Sequence, residues 1–149
     1  MDSGVMEDDF FVFPEEDQSK VETNCFPKLV TPHFQLEISL IRFLKLAEYL
    51  DEQPWFHGTI RRQIAECRLV KDGEFLIRQS ITQPGQFILS VLQNRSVRHI
   101  CLVSANGTIR SYGYEFGSVI QLIQFHFHNR VPMCSTRTAV LLEIPVARP

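Results

Sequence analysis

An α+β fold, with a central antiparallel sheet flanked by two helices, is predicted by three observations. Three strand-like apolar runs, at about 74–80, 86–92 and 98–103, follow one another through short turns. A helical pattern precedes them at about 60–70 and another follows at about 118–128. The runs are almost continuously apolar, as expected when helices cover both faces of a sheet.

The elements are justified in chain order. Residues 1–33 hold three prolines and no sustained period, and read as a largely disordered acidic tail. Phe10, Phe11 and Phe13 form a small aromatic cluster within it, and Asp2-Ser3-Gly4 weakly resembles a phosphodegron. Residues 34–50 form an extra, amphipathic helix, with Leu36, Leu40, Phe43, Leu44, Ala47 and Leu50 at three- and four-residue steps. Such a helix packs on the domain that follows or docks a partner. Residues 51–149 form that domain. Thr59 is placed to cap the helix at about 60–70, and Asp72-Gly73 makes a turn into the first long strand. Asn94-Arg95-Ser96 marks a hairpin turn, and Asn106-Gly107 a second turn. Short extended pieces follow near 108–110 and 114–116. The helix at about 118–128 turns Val119, Leu122, Ile123 and Phe127 inward. Pro132 stops it from continuing, and Leu141–Ile144 is a last strand.

Charge and cysteine usage narrow the function classes. The net charge of −2 gives no reason to expect nucleic-acid binding. The balance is uneven: residues 1–24 hold eight acids against Lys20, whereas residues 51–149 hold eleven Arg and Lys against seven acids. A mildly basic domain suits an anionic ligand, and the acidic tail could shield it. Four widely spaced cysteines without a Cys-x-x-Cys pair read as reduced thiols. With an acidic start unlike a signal peptide and no run long enough to span a bilayer, a cytoplasmic protein is expected.

Enzyme signatures fail one by one. His-Arg-Asp and Asp-Phe-Gly are absent. A cysteine phosphatase needs an arginine six residues after its cysteine, where this chain has Thr31, Gly73, Gly107 and Val140. A zinc site from His126, His128 and Cys134 is disfavoured because histidines two apart on a helix point in different directions. Surface or interface roles are expected for both. No metal or cofactor is expected.

The strongest chemical signal is Phe75-Leu76-Ile77-Arg78-Gln79-Ser80. It buries one arginine at the end of an apolar strand, where an uncompensated cation is costly. Ser80 and Thr82 follow in a turn with Pro84-Gly85. A planar fork of donors beside hydroxyls and the loop amides of 81–83 suits a phosphate.

These motifs together resemble a Src-homology-2 (SH2) domain, the phosphotyrosine-binding module of signalling proteins. The resemblance covers about residues 54–146. It rests on Trp55-Phe56-His57-Gly58, Arg62, Gly73-Glu74-Phe75-Leu76-Ile77-Arg78 and Arg98-His99, in order and spacing. Within the family the chain looks most like the SH2 domain of the Shc adaptors, through Thr82-Gln83-Pro84-Gly85-Gln86 and Pro145-Val146. A second resemblance is to Fes/Fer kinases, through Asp51-Glu52-Gln53-Pro54-Trp55 and Leu89-Ser90-Val91-Leu92.

The resemblance implies a non-catalytic adaptor that binds tyrosine-phosphorylated receptors or scaffolds. Residues 1–50, outside the resemblance, leave room for a second partner, and the alternatives are a phosphotyrosine-independent interaction protein acting through the helix at 34–50 or a regulatory SH2 relative of Fes-type kinases. It implies that Arg78 grips the phosphate and Arg62 contacts it from the first helix. Ser80 and Thr82 add donors, His99 flanks the ring and Arg98 forms another wall. Ile100, Tyr114 and Met133 would line a pocket for an apolar residue about three after the phosphotyrosine. Three departures stand out. Gln79 replaces an acid, Ile81 replaces a common hydroxyl residue, and Arg68 stands where a leucine usually turns inward.

Overall fold

The computed structural model describes residues 9–10, 40–135 and 138–149. Most of the tail, and the first part of the 34–50 helix including Leu36, lie outside the described residues. Residues 9–10, inside the stretch expected to be disordered, form a short strand instead.

In chain order the elements are β1 (Asp9–Phe10), α1 (40–46), a 3-10 turn (Leu50–Glu52), β2 (Phe56–Thr59) and α2 (Arg62–Arg68). Next come β3 (Glu74–Gln79), β4 (Phe87–Gln93) and β5 (Ser96–Cys101), then the hairpin β6 (Ile109–Ser111) and β7 (Tyr114–Phe116). The chain closes with α3 (Val119–His128), β8 (Met133–Cys134), β9 (Ala139–Val140) and β10 (Ile144–Pro145). The expected antiparallel meander is β3-β4-β5. Short parallel strands extend it, giving the order β1-β5-β4-β3-β10, with β2 also on β3.

The β4–β5 turn is fixed by two consecutive left-handed residues, Asn94 (φ 55°) and Arg95 (φ 63°). Their mirror-image turn matches the twist of a two-residue hairpin. Asp72 Oδ1 accepts from the Arg95 amide at 3.0 Å and ties this turn to the start of β3.

Alternation along the strands divides the apolar side chains between two layers. Phe75, Ile77, Phe87, Leu89, Val91 and Ile100 pack with Val119, Leu122 and Ile123 of α3. Leu76 and Leu92 face the other way, onto Ala65 of α2 and Leu69 just past its end. α1 seals the end of the larger layer through Leu46, joined by Leu50 of the 3-10 turn, with the Phe43 ring stacked on Phe87 at a centroid distance of 5.6 Å. The apolar stripe expected along this helix is only partly inward: Leu40 and Leu44 are exposed.

Several expectations are corrected. α2 begins at Arg62 with Arg61 as its cap residue; Thr59 belongs to β2 and caps nothing. In place of one strand at Leu141–Ile144 the chain forms β9 and β10, because each pairs elsewhere, with β8 and β3. His126 is not a surface residue. It is fully buried, within 2.9 Å of Ser111 Oγ and 2.8 Å of the Val131 carbonyl. His128 is exposed. Among the described residues, no cluster of metal ligands is present and no helix is long and apolar enough to cross a membrane.

Candidate functional site

A cleft of about 310 Å³ opens between the start of α2 and the end of β3, lined by Ile60, Arg61, Arg62, Gln63, Arg78, Ser80, Ile81 and Thr82. Arg78 reaches it because even-numbered residues of β3 face α2. Leu76 is consumed in the small apolar layer, and Arg78 follows it just past that layer's edge. Its residue exposure is 3%. Among the described residues that line the cleft there is no carboxylate.

The loop after β3 is built by its own side chains. Ser80 Oγ accepts from the Gln83 amide at 3.1 Å and lies 3.3 Å from Thr82 Oγ1. The Ser80 amide donates to the Gln86 carbonyl, closing the loop at its base. The Gln83 amide, one of the donors expected for an anion, is therefore engaged within the loop.

Beneath the cleft runs a polar relay. Arg78 Nε donates to Ser90 Oγ at 3.4 Å, Ser90 Oγ is 2.8 Å from His99 Nδ1, and His99 Nε2 is 3.0 Å from Glu66 Oε1. Arg62 Nε donates to the same Glu66 oxygen at 3.3 Å. A carboxylate only accepts, so His99 Nε2 carries a proton, and in the neutral ring Nδ1 takes the Ser90 hydroxyl hydrogen. Burial pulls the Glu66 carboxyl upward, but the hydrogen bond from His99 and the neighbouring Arg62 outweigh it and hold it below the usual carboxylate value. The relay ties two of the three cleft arginines, Arg62 and Arg78, into one framework. His99 therefore acts from below the cleft, without lining it.

The other predicted residues are placed differently. Arg98 pairs with Val91, whose side chain belongs to the larger layer; Arg98 therefore lies on the opposite face from Arg78, exposed, and forms no wall of the cleft. Ile100 and Met133 are fully buried in the larger layer, whereas Tyr114 is exposed with its ring 6.1 Å from Phe125. The structure does not gather these three into one cleft.

Arg61 lines the cleft together with its neighbour Arg62. Sequence reasoning missed Ile60 and Gln63 as lining, and Ser90 and Glu66 as supports. It also missed Cys101, which shares the face of His99. Period-two alternation from His99 would have found Cys101, and an i, i+4 step from Arg62 would have found Glu66. Arg68, unusual for its place, gains a purpose here. Its guanidinium lies 2.9 Å from His57 Nδ1, and His57 Nε2 lies 2.8 Å from the Val146 carbonyl. Arginine can only donate, so Nδ1 accepts and Nε2 carries the proton.

A cationic cleft on a helix-covered antiparallel sheet, with a buried arginine at its floor, defines an anion-binding recognition module. Comparison with known proteins makes this specific: the SH2 domain profile matches residues 55–126. A solved SH2 domain, from a Monosiga brevicollis CRK/CRKL homologue, is 32% identical with a TM-score of 0.50; the match covers 64% of this chain and 88% of that one. The SH2 domain of human VAV1 is 29% identical with a TM-score of 0.56, covering 67% and 75%. The chain belongs to the SH2 domain family. Among curated relatives, mouse SHC-transforming protein 4 is 40% identical over 69% of this chain and 16% of its own length. Human SHC-transforming protein 3 is 38% identical over 70% and 18%. The chain thus spans less than a fifth of the length of either.

Proposed function

We propose that this chain is a non-catalytic phosphotyrosine-peptide binder serving as a small adaptor in tyrosine-kinase signalling. The observation that carries the reading is Arg78: a buried guanidinium at the floor of a cleft that also presents Arg61, Arg62, Ser80 and Thr82. A tyrosine phosphate carries about −1.5 to −2 charges and three acceptor oxygens. It stands far enough from its own backbone to reach a recessed arginine; a serine phosphate does not. Arg78 supplies the planar two-point grip and Arg62 closes from the helix, while Ser80 and the loop hold the rim. In this reading Tyr114 touches the residues after the phosphotyrosine, and Ile100 and Met133 support that surface from below. Partners are tyrosine-phosphorylated receptors or scaffolds in the cytoplasm, with residues 1–50 available to a second protein.

Calorimetric titration tests this with a degenerate phosphotyrosine peptide pool, its unphosphorylated twin, and the Arg78→Ala and Arg78→Lys variants. Binding should require the phosphate. It should weaken by about 2–5 kcal/mol in Arg78→Ala, the range for truncating one partner of a buried charge pair. Lysine should not restore it, because a point charge lacks the fork. Equal binding of both pools, or full binding by Arg78→Ala, would overturn the assignment.

A further inference from the structure

We infer that the acidic segment around Asp9–Phe10 is an intramolecular occupant of the peptide-binding surface, competing with phosphopeptides along the outer edge of β5. The inference rests on the phosphotyrosine reading proposed above and adds to it a regulation of the same site.

The geometry is a single row across the sheet. Phe10 pairs in parallel with Cys101, Cys101 stands opposite Ile88, and Ile88 stands opposite Arg78. With strands about 4.8 Å apart, three steps bring the tail's backbone within roughly 14 Å of the Arg78 backbone. Residues directly opposite one another share a face, so Ile88 and Cys101 lie on the Arg78 side. They are 1% and 3% exposed. Among the described residues neither joins either apolar layer. Neither lines the Arg78 cleft itself; they stand in the row between it and the β5 edge, and a peptide whose phosphotyrosine is held at Arg78 runs along that row in this inference. Tail and ligand therefore draw on the same ground.

Two further features favour this occupant. An outer strand edge is a ready template for any extended chain, and main-chain pairing needs no particular sequence. The segment brings the right charge as well. Glu7, Asp8 and Asp9 belong to a stretch of eight acids against one lysine, whereas residues 51–149 hold eleven basic and seven acidic residues. A tethered competitor acts at a local concentration set by the chain. It lowers apparent affinity in proportion to the fraction of time it is docked.

The test measures binding of a labelled phosphotyrosine peptide with leucine three residues after it. It compares the full chain with Phe10→Pro, which removes a backbone donor from β1, and with Asp8→Lys/Asp9→Lys. Amide exchange at residues 100–102 is followed in all three, and Arg78→Ala is the control. The expected result is an affinity about three- to tenfold higher in both tail variants, with faster exchange at 100–102. Unchanged affinity with phosphate-dependent binding intact would overturn the competitor and leave the phosphotyrosine reading standing. Unchanged exchange at 100–102 in both variants would likewise remove the tail from this edge. No phosphate-dependent binding by any form would overturn the phosphotyrosine reading and the competitor with it.

Discussion

Ser90 links the support of Arg78 to the His99–Glu66 pair that holds Arg62. It interrupts the apolar run of β4 at a buried position, opposite Leu76 on one side and His99 on the other. An apolar residue there would complete the small layer; the hydroxyl instead receives Arg78 and contacts His99 Nδ1. Ser90→Ala should destabilise the fold by about 1–3 kcal/mol, the cost of stranding a buried polar group, read as a shifted urea midpoint. It should also weaken phosphopeptide binding, since Arg78 loses its hold. Stability unchanged within error would show that the relay does not matter. The buried place of Arg78 beside Ser80 and Thr82 was legible in the sequence, because a lone arginine in an apolar strand is followed at once by hydroxyls. The relay was not legible. Ser90, His99 and Glu66 are distant in sequence, and only strand register brings them together. The same lack of register information misassigned Arg98: adjacent to His99 in sequence, it necessarily points to the other face.

Elements were legible where local chemistry alone decides them. The Asn94-Arg95 turn needs left-handed backbone at both central residues, and asparagine tolerates it well. α3 is bounded as sharply: Ser118 Oγ accepts from the Gln121 amide at 3.2 Å. Ser118→Ala should cost about 1 kcal/mol, visible as a lower urea midpoint with an unchanged slope. No shift would mean that packing of Val119 and Leu122 fixes the helix start by itself. By contrast, β9 and β10 could not be told from one strand, because each is only two residues long and defined by its partner. Gly73 shows how tightly that closing segment is held. Its carbonyl accepts from the amides of Glu143 and Ile144. Its φ of +94° strains any L side chain, and a methyl group there would lie 2.6 Å from Glu143 Oε2 and 3.1 Å from Glu143 Cβ, so the Glu143 side chain would have to shift. The Asp72-Gly73 turn signal was correct, but its role in receiving the last strand was not visible from composition.

At the scale of the whole molecule, two histidines link the fold to pH. His57 joins the lead-in strand to Arg68 of α2 and to the closing segment at Val146, while His126 joins α3 to Ser111 and Val131. Burial lowers both pKa values below the usual histidine value; for His57 the nearby Arg68 and Arg148 add to the effect, and in each case a backbone hydrogen bond opposes it. A proton on His57 would also remove the lone pair that accepts from Arg68. In the unfolded chain both rings return to about 6.5. Between that value and the lower folded values the unfolded state binds more protons, so stability rises with pH. Their contribution is therefore fully present above about pH 6.5 and is lost as pH falls through the folded values. Glu66, also lowered, adds a further loss in the carboxylate range. Urea midpoints should thus decline from about pH 7.5 to about 5.5 in the wild-type chain. His126→Gln should flatten that decline even if its absolute stability is lower, because one of the two rings no longer charges on unfolding. A midpoint independent of pH in wild type, or an undiminished slope in His126→Gln, would show that these rings do not set the acid limit. Since His57 and His126 clamp opposite sides of the sheet, from β2 and α3, the loss is expected to be a single cooperative unfolding with coincident transitions by fluorescence and circular dichroism.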